Sequence, residues 1–98
     1  MFEVADGWMI DADDSCFRVG KMESYTEKKS GNVIEKFSPK FYYTDFEGAL
    51  RGVYRQIERS ELKDAKSLTE AIETVGRVRE EFEGVLRREV RPWTAKAQ

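Results

Sequence analysis

Apolar positions along the chain change period once. Up to residue 43 they alternate with polar ones in short runs, and from residue 46 they recur every three or four positions. In the first half, Trp8-Met9-Ile10-Asp11 reads as a short strand with Trp8 and Ile10 on one face and Met9 and Asp11 on the other. Ala12-Asp13-Asp14-Ser15 is turn chemistry, because short polar side chains hydrogen-bond their own backbone. A second strand runs from Cys16 to about Thr26, with Phe17, Val19 and Tyr25 sharing a face; the polar Lys21-Met22-Glu23 in its middle predicts a bulge or a strand end there. Lys28-Lys29-Ser30-Gly31-Asn32 is a hairpin turn, with Gly31 and Asn32 able to take positive φ. Val33 to Phe37 returns as a third strand, Pro39 marks an edge position or a break, and Phe41-Tyr42-Tyr43 resumes extended chain.

Two helix-start signatures organise the second half. Thr44-Asp45-Phe46-Glu47 and Ser67-Leu68-Thr69-Glu70 both read hydroxyl-x-x-carboxylate ahead of an apolar-periodic run, so hydroxyl and glutamate satisfy backbone N–H groups reciprocally. The first predicted helix spans Asp45 to Arg59, with Phe46, Ala49, Leu50, Val53, Tyr54 and Ile57 on its apolar face. Glu61 to Lys66 is the link. The second starts at Leu68 and runs to about Val90, stopped by Pro92, with Leu68, Ala71, Ile72, Val75, Val78, Phe82, Val85 and Leu86 as its stripe and Gly76 and Gly84 on its polar side. A second helix of that length overhangs the first by about two turns. The expected fold is α+β: a three-stranded antiparallel β-meander packed on a C-terminal two-helix hairpin. It forms a single domain over residues 1–98, divided into meander 1–43, helical hairpin 44–91 and tail 92–98.

Composition narrows the function classes. With 40% hydrophobic and 12% aromatic residues, the 98-residue chain holds enough core material for one domain despite 37% charged residues. A net charge of -2 argues against a constitutive nucleic-acid binder and equally against a heavily acidic mimic of one. Charge is unevenly spread: Glu3, Asp6, Asp11, Asp13 and Asp14 crowd the first twenty residues, whereas Arg87, Arg88, Arg91 and Lys96 sit near the end. Opposite signs at the two ends suit head-to-tail self-association as well as an ordinary mixed surface. Histidine is absent and Cys16 is the single cysteine, which excludes serine–histidine and cysteine–histidine mechanisms and a structural zinc site. A lone thiol, no apolar run near ~18–20 residues and no basic leader pattern lead to the expectation of a cytoplasmic protein without a cofactor and without a membrane partner.

Few constellations could carry chemistry. Asp11-x-Asp13-Asp14 resembles half of a calcium loop but lacks the glycine and late glutamate such a loop needs, so it reads as an acidic turn. Arg51, Arg55 and Arg59 run down the polar side of the first helix, where they either neutralise phosphates or form a solvated face among interleaved glutamates. Trp8, Tyr25, Phe41, Tyr42 and Tyr43 form a stacking platform or, more simply, core, with Tyr42 outward if Phe41 and Tyr43 face in. Arg79 and Glu89 intrude on the second helix's stripe, as marginal charges or as part of an interchain contact in which the overhanging Val85, Leu86 and Val90 find cover. Trp93 is expected to tuck back onto its own domain or to anchor a partner.

Read end to end, Trp8-Met9-Ile10 with Phe17-Arg18-Val19, the Lys29-Ser30-Gly31 turn, Phe41 through Leu50, and the Ser67-Leu68-Thr69-Glu70 start resemble small proteins encoded in accessory or early regions of bacteriophages and prophages. The resemblance implies a meander followed by two helices and a role inside the host during infection. It carries no catalytic motif to any position. The expectation is a non-enzymatic, phage-derived binding protein that engages or inhibits a host or defence protein or sequesters a ligand. A homodimer through the second helix accompanies it, and the alternative is a nucleic-acid-associated regulatory protein using the arginine face. The candidate partner-binding residues are Tyr42, Arg51, Arg55, Arg59, Val85, Leu86, Glu89, Val90 and Trp93.

Overall fold

A computed structural model describes residues 1–92. The architecture is α+β: an antiparallel sheet in the order β1-β2-β3-β4, followed by two helices. The sheet has four strands rather than three: β1 (Phe2–Ala5), β2 (Trp8–Ala12), β3 (Phe17–Thr26) and β4 (Val33–Tyr43). The unanticipated strand is β1, joined to β2 through Asp6 and Gly7, whose φ angles of 52° and 80° suit a tight two-residue hairpin. Aspartate tolerates the left-handed region and glycine has no side chain to object.

Register fixes the faces. Ile10 pairs with Val19, and Val19 with Phe41, so these three share a face with Trp8, Phe17 and Tyr43. Ile10 and Val19 are fully buried. Pro39 does not break β4. It lies in the outermost strand, where a missing N–H costs nothing to the ladder. The irregularity expected at Lys21–Glu23 falls instead between Val19 and Gly20, opposite Phe41 and Pro39, leaving Lys40 as the extra residue on β4. There the two backbones close up: a Cβ built on Gly20 would lie 2.8 Å from Ser38 C and 2.9 Å from Pro39 Cα, and closer still to the Ser38 carbonyl oxygen.

The chain forms two compact units, one covering Met1–Val53 and a second starting at Tyr54, so the boundary falls inside helix α1 (Phe46–Leu62). In the first unit, the start of α1 lies on the Ile10/Val19 face. Phe46 meets Phe2 and Phe17 at ring-centroid distances of 6.1 and 6.0 Å, and Tyr43 rests on the helix backbone where Gly52 leaves room. Ala49, Leu50 and Val53 are buried with them. The helix is capped by Asp45 rather than Thr44: Gly48 N–H donates to Asp45 Oδ1 at 2.5 Å, so the start moves one residue on from the Thr44 box.

In the second unit, the remainder of α1 runs beside helix α2 (Leu68–Val85). The Tyr54 and Phe82 rings pack with centroids 5.4 Å apart and planes tilted by 32°, and Arg77 and Arg79 pair with Glu61 at 2.6 Å and Glu58 at 3.7 Å. The Glu61 hydrogen bond raises the Arg77 pKa further. Ser67 caps α2 as the sequence indicates, accepting from Glu70 N–H at 3.1 Å, while the Glu70 carboxylate reaches one residue further back than a standard box, to Lys66 N–H. After Val85 the helix widens into a π-helical turn, Leu86–Val90, closed by Arg91 N–H to Leu86 O. The helical run continues unbroken through that turn to residue 92, so the second helix reaches Val90 as expected and is about two turns longer than the 17-residue α1. Gly84, assigned to the polar side, is buried, with Arg88 folded back over it.

Candidate functional site

Strand lengths create the most distinctive surface in the first unit. β2 pairs with Phe17 to Lys21 only, whereas β3 continues to Thr26 and pairs with β4 throughout. Five further cross-strand pairs, from Met22–Phe37 to Thr26–Val33, therefore form a two-stranded ribbon without a third strand beside it. Two-stranded ribbons are marginal on their own, and side chains on both faces of this one lack strand neighbours on the β3 side. Met22, Tyr25 and Val33 are 40%, 50% and 68% exposed, and Ile34 and Phe37 are half-buried. By register, Tyr25 and Ile34 lie on one face, and Met22, Phe37 and Val33 on the other.

Charge is also distinctive here. Between Lys21 and Lys40 stand five lysines and three glutamates, against a net -2 for the whole chain. Glu23 is held by Lys40 at 2.8 Å, and that hydrogen bond lowers the Glu23 pKa. Lys21 lies over the Trp8 ring, 4.8 Å from its centroid. Lys28 and Lys29 occupy the tip, where Glu27 and Asn32 close the loop: Glu27 N–H donates to Asn32 O and Gly31 N–H to Glu27 O, both at 2.8 Å. Of the two residues expected at positive φ, Gly31 takes it, at 74°, and Asn32 does not.

At the opposite end of the sheet, Asp11, Arg18 and Tyr42 line up across β2, β3 and β4 on the second face. Arg18 bonds Asp11 through Nη2, and its guanidinium carbon sits 6.0 Å from the Phe37 centroid. Asp13 shapes the β2–β3 turn, accepting from Ser15 N–H at 2.7 Å, Cys16 N–H at 2.9 Å and the Ser15 hydroxyl at 2.9 Å. Those donors, Ser15 N–H foremost, hold its pKa at about 2 against an ordinary 3.8. Because the folded turn depresses the pKa, its contribution to stability is present in full above the ordinary value and disappears as pH falls through about 2. A carboxyl NMR titration of the native protein is expected to place the Asp13 midpoint near 2, and Ser15→Ala is expected to move it upward. An unchanged midpoint in that variant would remove the hydroxyl from the account. Among the described residues no group of three carboxylates or thiols gathers closely enough to hold a metal ion.

The sequence-predicted residues are dispersed. Tyr42 is 63% exposed, as the alternation with half-buried Phe41 and Tyr43 requires. Arg51, Arg55 and Arg59 are exposed along α1; Arg51 pairs with Glu47 at 3.8 Å, while Arg55 and Arg59 make no ion pair among the described residues. At the far end of α2, Leu86 is only 2% exposed, so it offers no docking surface; Val85 and Val90 are half-buried and Glu89 is exposed. Trp93 lies outside the described residues. Tyr25, read as core, is half exposed because no third strand reaches it. The ribbon itself escaped the sequence reading, although the mismatch between a five-residue strand and its ten-residue neighbour was a visible signal. No helix among the described residues is long and apolar enough to cross a membrane. Comparison of the chain with protein-family models, curated proteins and solved structures finds no match.

Proposed function

We propose that this chain is a non-enzymatic binding protein that docks its β3–β4 ribbon into an apolar cleft with an acidic rim on a partner protein. The supporting observation is the ribbon: apolar side chains exposed on both faces, with lysines at its tip. Seating it would supply the layer that Tyr25, Val33 and Met22 lack. Each such side chain contributes roughly 1.5–3 kcal/mol when fully buried. Tyrosine is a favoured anchor because it brings large area with little rotamer freedom to lose. The resemblance to phage and prophage accessory proteins makes a host factor or a defence component the partner class, with inhibition following from occupation of its surface.

A second reading rests on Arg55 and Arg59. They are exposed one turn apart on α1 and make no ion pair among the described residues, which suits phosphates of a nucleic acid.

One experiment separates the two. Wild-type chain and a Tyr25→Ser/Val33→Ser variant, matched by circular dichroism, are immobilised and exposed to bacterial lysate. A discrete protein retained by the wild type and lost by the variant is the expected result. Equal retention by both, or retention of nothing, would count against ribbon docking. Nucleic acid that elutes steeply with salt and is lost in Arg55→Glu would favour the second reading.

A further inference from the structure

β4 is the last strand of the sheet, so alternate residues along it hold backbone groups that no strand takes up. The loop at the ribbon tip identifies which. Glu27 N–H donates to Asn32 O at 2.8 Å, so that pair bonds directly, and alternation makes Tyr25–Ile34, Glu23–Lys36 and Lys21–Ser38 the directly bonded pairs of the ribbon. Val33, Glu35 and Phe37 therefore turn both N–H and C=O away from β3. Beyond them Pro39 has no N–H to offer and Lys40 is the extra residue of the bulge, so the regular edge covers residues 33–37. Its side chains divide by face: Val33, Glu35 and Phe37 on one, Ile34 and Lys36 on the other. Glu35 and Lys36 are both exposed. Neither makes an ion pair among the described residues, and Glu23, across from Lys36, is held by Lys40.

We infer that this edge takes up an extended segment of the partner protein as an additional, antiparallel strand. It rests on the docking reading above and specifies the contact: the arm lies beside a partner strand, and backbone bonds at Val33, Glu35 and Phe37 hold the two together. Side chains directly opposite one another must then match. Read from its N-terminal end, the segment passes Phe37, Lys36, Glu35, Ile34 and Val33 in turn, so its order is apolar, acidic, basic, apolar, apolar. A second copy of β4 does not supply that order. Opposed residues share a face, so only Ile34, Lys36 or Ser38 of another copy can stand across from Lys36, and none carries a carboxylate.

The probe is the peptide acetyl-Thr-Val-Glu-Lys-Val-Val-Thr-amide, titrated to about 2 mM into the isotope-labelled full chain and followed by NMR, a range that reads Kd values on the order of 1 mM and tighter. The Val33, Glu35 and Phe37 amides are expected to shift and to become protected from hydrogen exchange, while the Ile34 and Lys36 amides, already bonded to β3, gain little protection. Exchanging Glu and Lys within the peptide is expected to weaken binding about tenfold, and the Glu35→Lys/Lys36→Glu chain to invert that preference. Glu35→Pro removes the middle outward N–H without touching the β3–β4 ladder and is expected to abolish binding, whereas Glu35→Ala retains most of it. Circular dichroism confirms that each variant is folded. No change at the three amides by the end of the titration, or binding indifferent to Glu35→Pro, would overturn strand addition. Cleft docking is judged apart from it: a lysate protein retained by the wild type and by Glu35→Pro, but lost by Tyr25→Ser/Val33→Ser, would keep that reading and remove the strand contact. Peptide addition at the edge with nothing retained from lysate would remove the docking reading and keep the edge.

Discussion

Gly20→Ala is expected to lower the unfolding free energy by about 3 kcal/mol or more, a large part of the ~5–15 kcal/mol available to a domain of this size. What a methyl group would strike is backbone, the Ser38 carbonyl and Pro39 Cα, where β4 closes on β3 beside the bulge. Backbone in a paired strand cannot step aside as a flexible side chain can, so relief requires the ladder to part at the bulge. Urea unfolding should show a lower midpoint with a similar slope. Gly76→Ala provides the control: it adds a methyl in open space within a helix and should stabilise the monomer by up to about 1 kcal/mol. If both variants unfolded at the wild-type midpoint, the close approach at Gly20 would be wrong.

Leu86→Ala is expected to cost about 2–5 kcal/mol, the range for emptying a buried leucine site. Leu86 is 2% exposed at the opening of the π-helical turn. Leu68, on the same apolar stripe, is 78% exposed, and Leu68→Ala at low protein concentration should change stability by no more than about 0.5 kcal/mol. Thermal unfolding of the pair gives a direct comparison of identical deletions. Equal losses at both positions would contradict the burial assigned to the two ends of α2.

Periodicity revealed which face of each helix is apolar but not which part of that face finds cover. That distinction is why Leu86 read as overhanging and Leu68 as core. The apolar run identifies a direction around the helix axis, whereas burial depends on which neighbouring elements end where. Caps behaved similarly. Ser67 was legible because nothing nearby competes for the role. At the first helix Thr44 and Asp45 are both competent, and the choice went to Asp45, whose carboxylate approaches Gly48 N–H closely because Gly48 has no Cβ in the way. β1 is only four residues long and half exposed, which gives little alternation to detect. Its evidence lay in the Asp6-Gly7 pair, a strong hairpin signal standing beside two short apolar stretches. The ribbon was legible in principle from strand lengths. Its exposure was not, because aromatic residues at alternating positions look identical in a covered sheet and in an uncovered arm.

The outer rim of β4 has a consequence for how this protein behaves in a crowd. Eleven residues of strand with an open hydrogen-bonding side invite identical molecules to zip together into fibrils. Side chains directly across an antiparallel seam must share a face, so a symmetric seam has to centre on a single residue. Centred on Lys36 it opposes two ammonium groups, and centred on Glu35 it opposes two carboxylates. Further along, Pro39 offers no N–H and the extra Lys40 bends the rim out of line. The arm can thus stay sticky toward others while resisting polymerisation with itself.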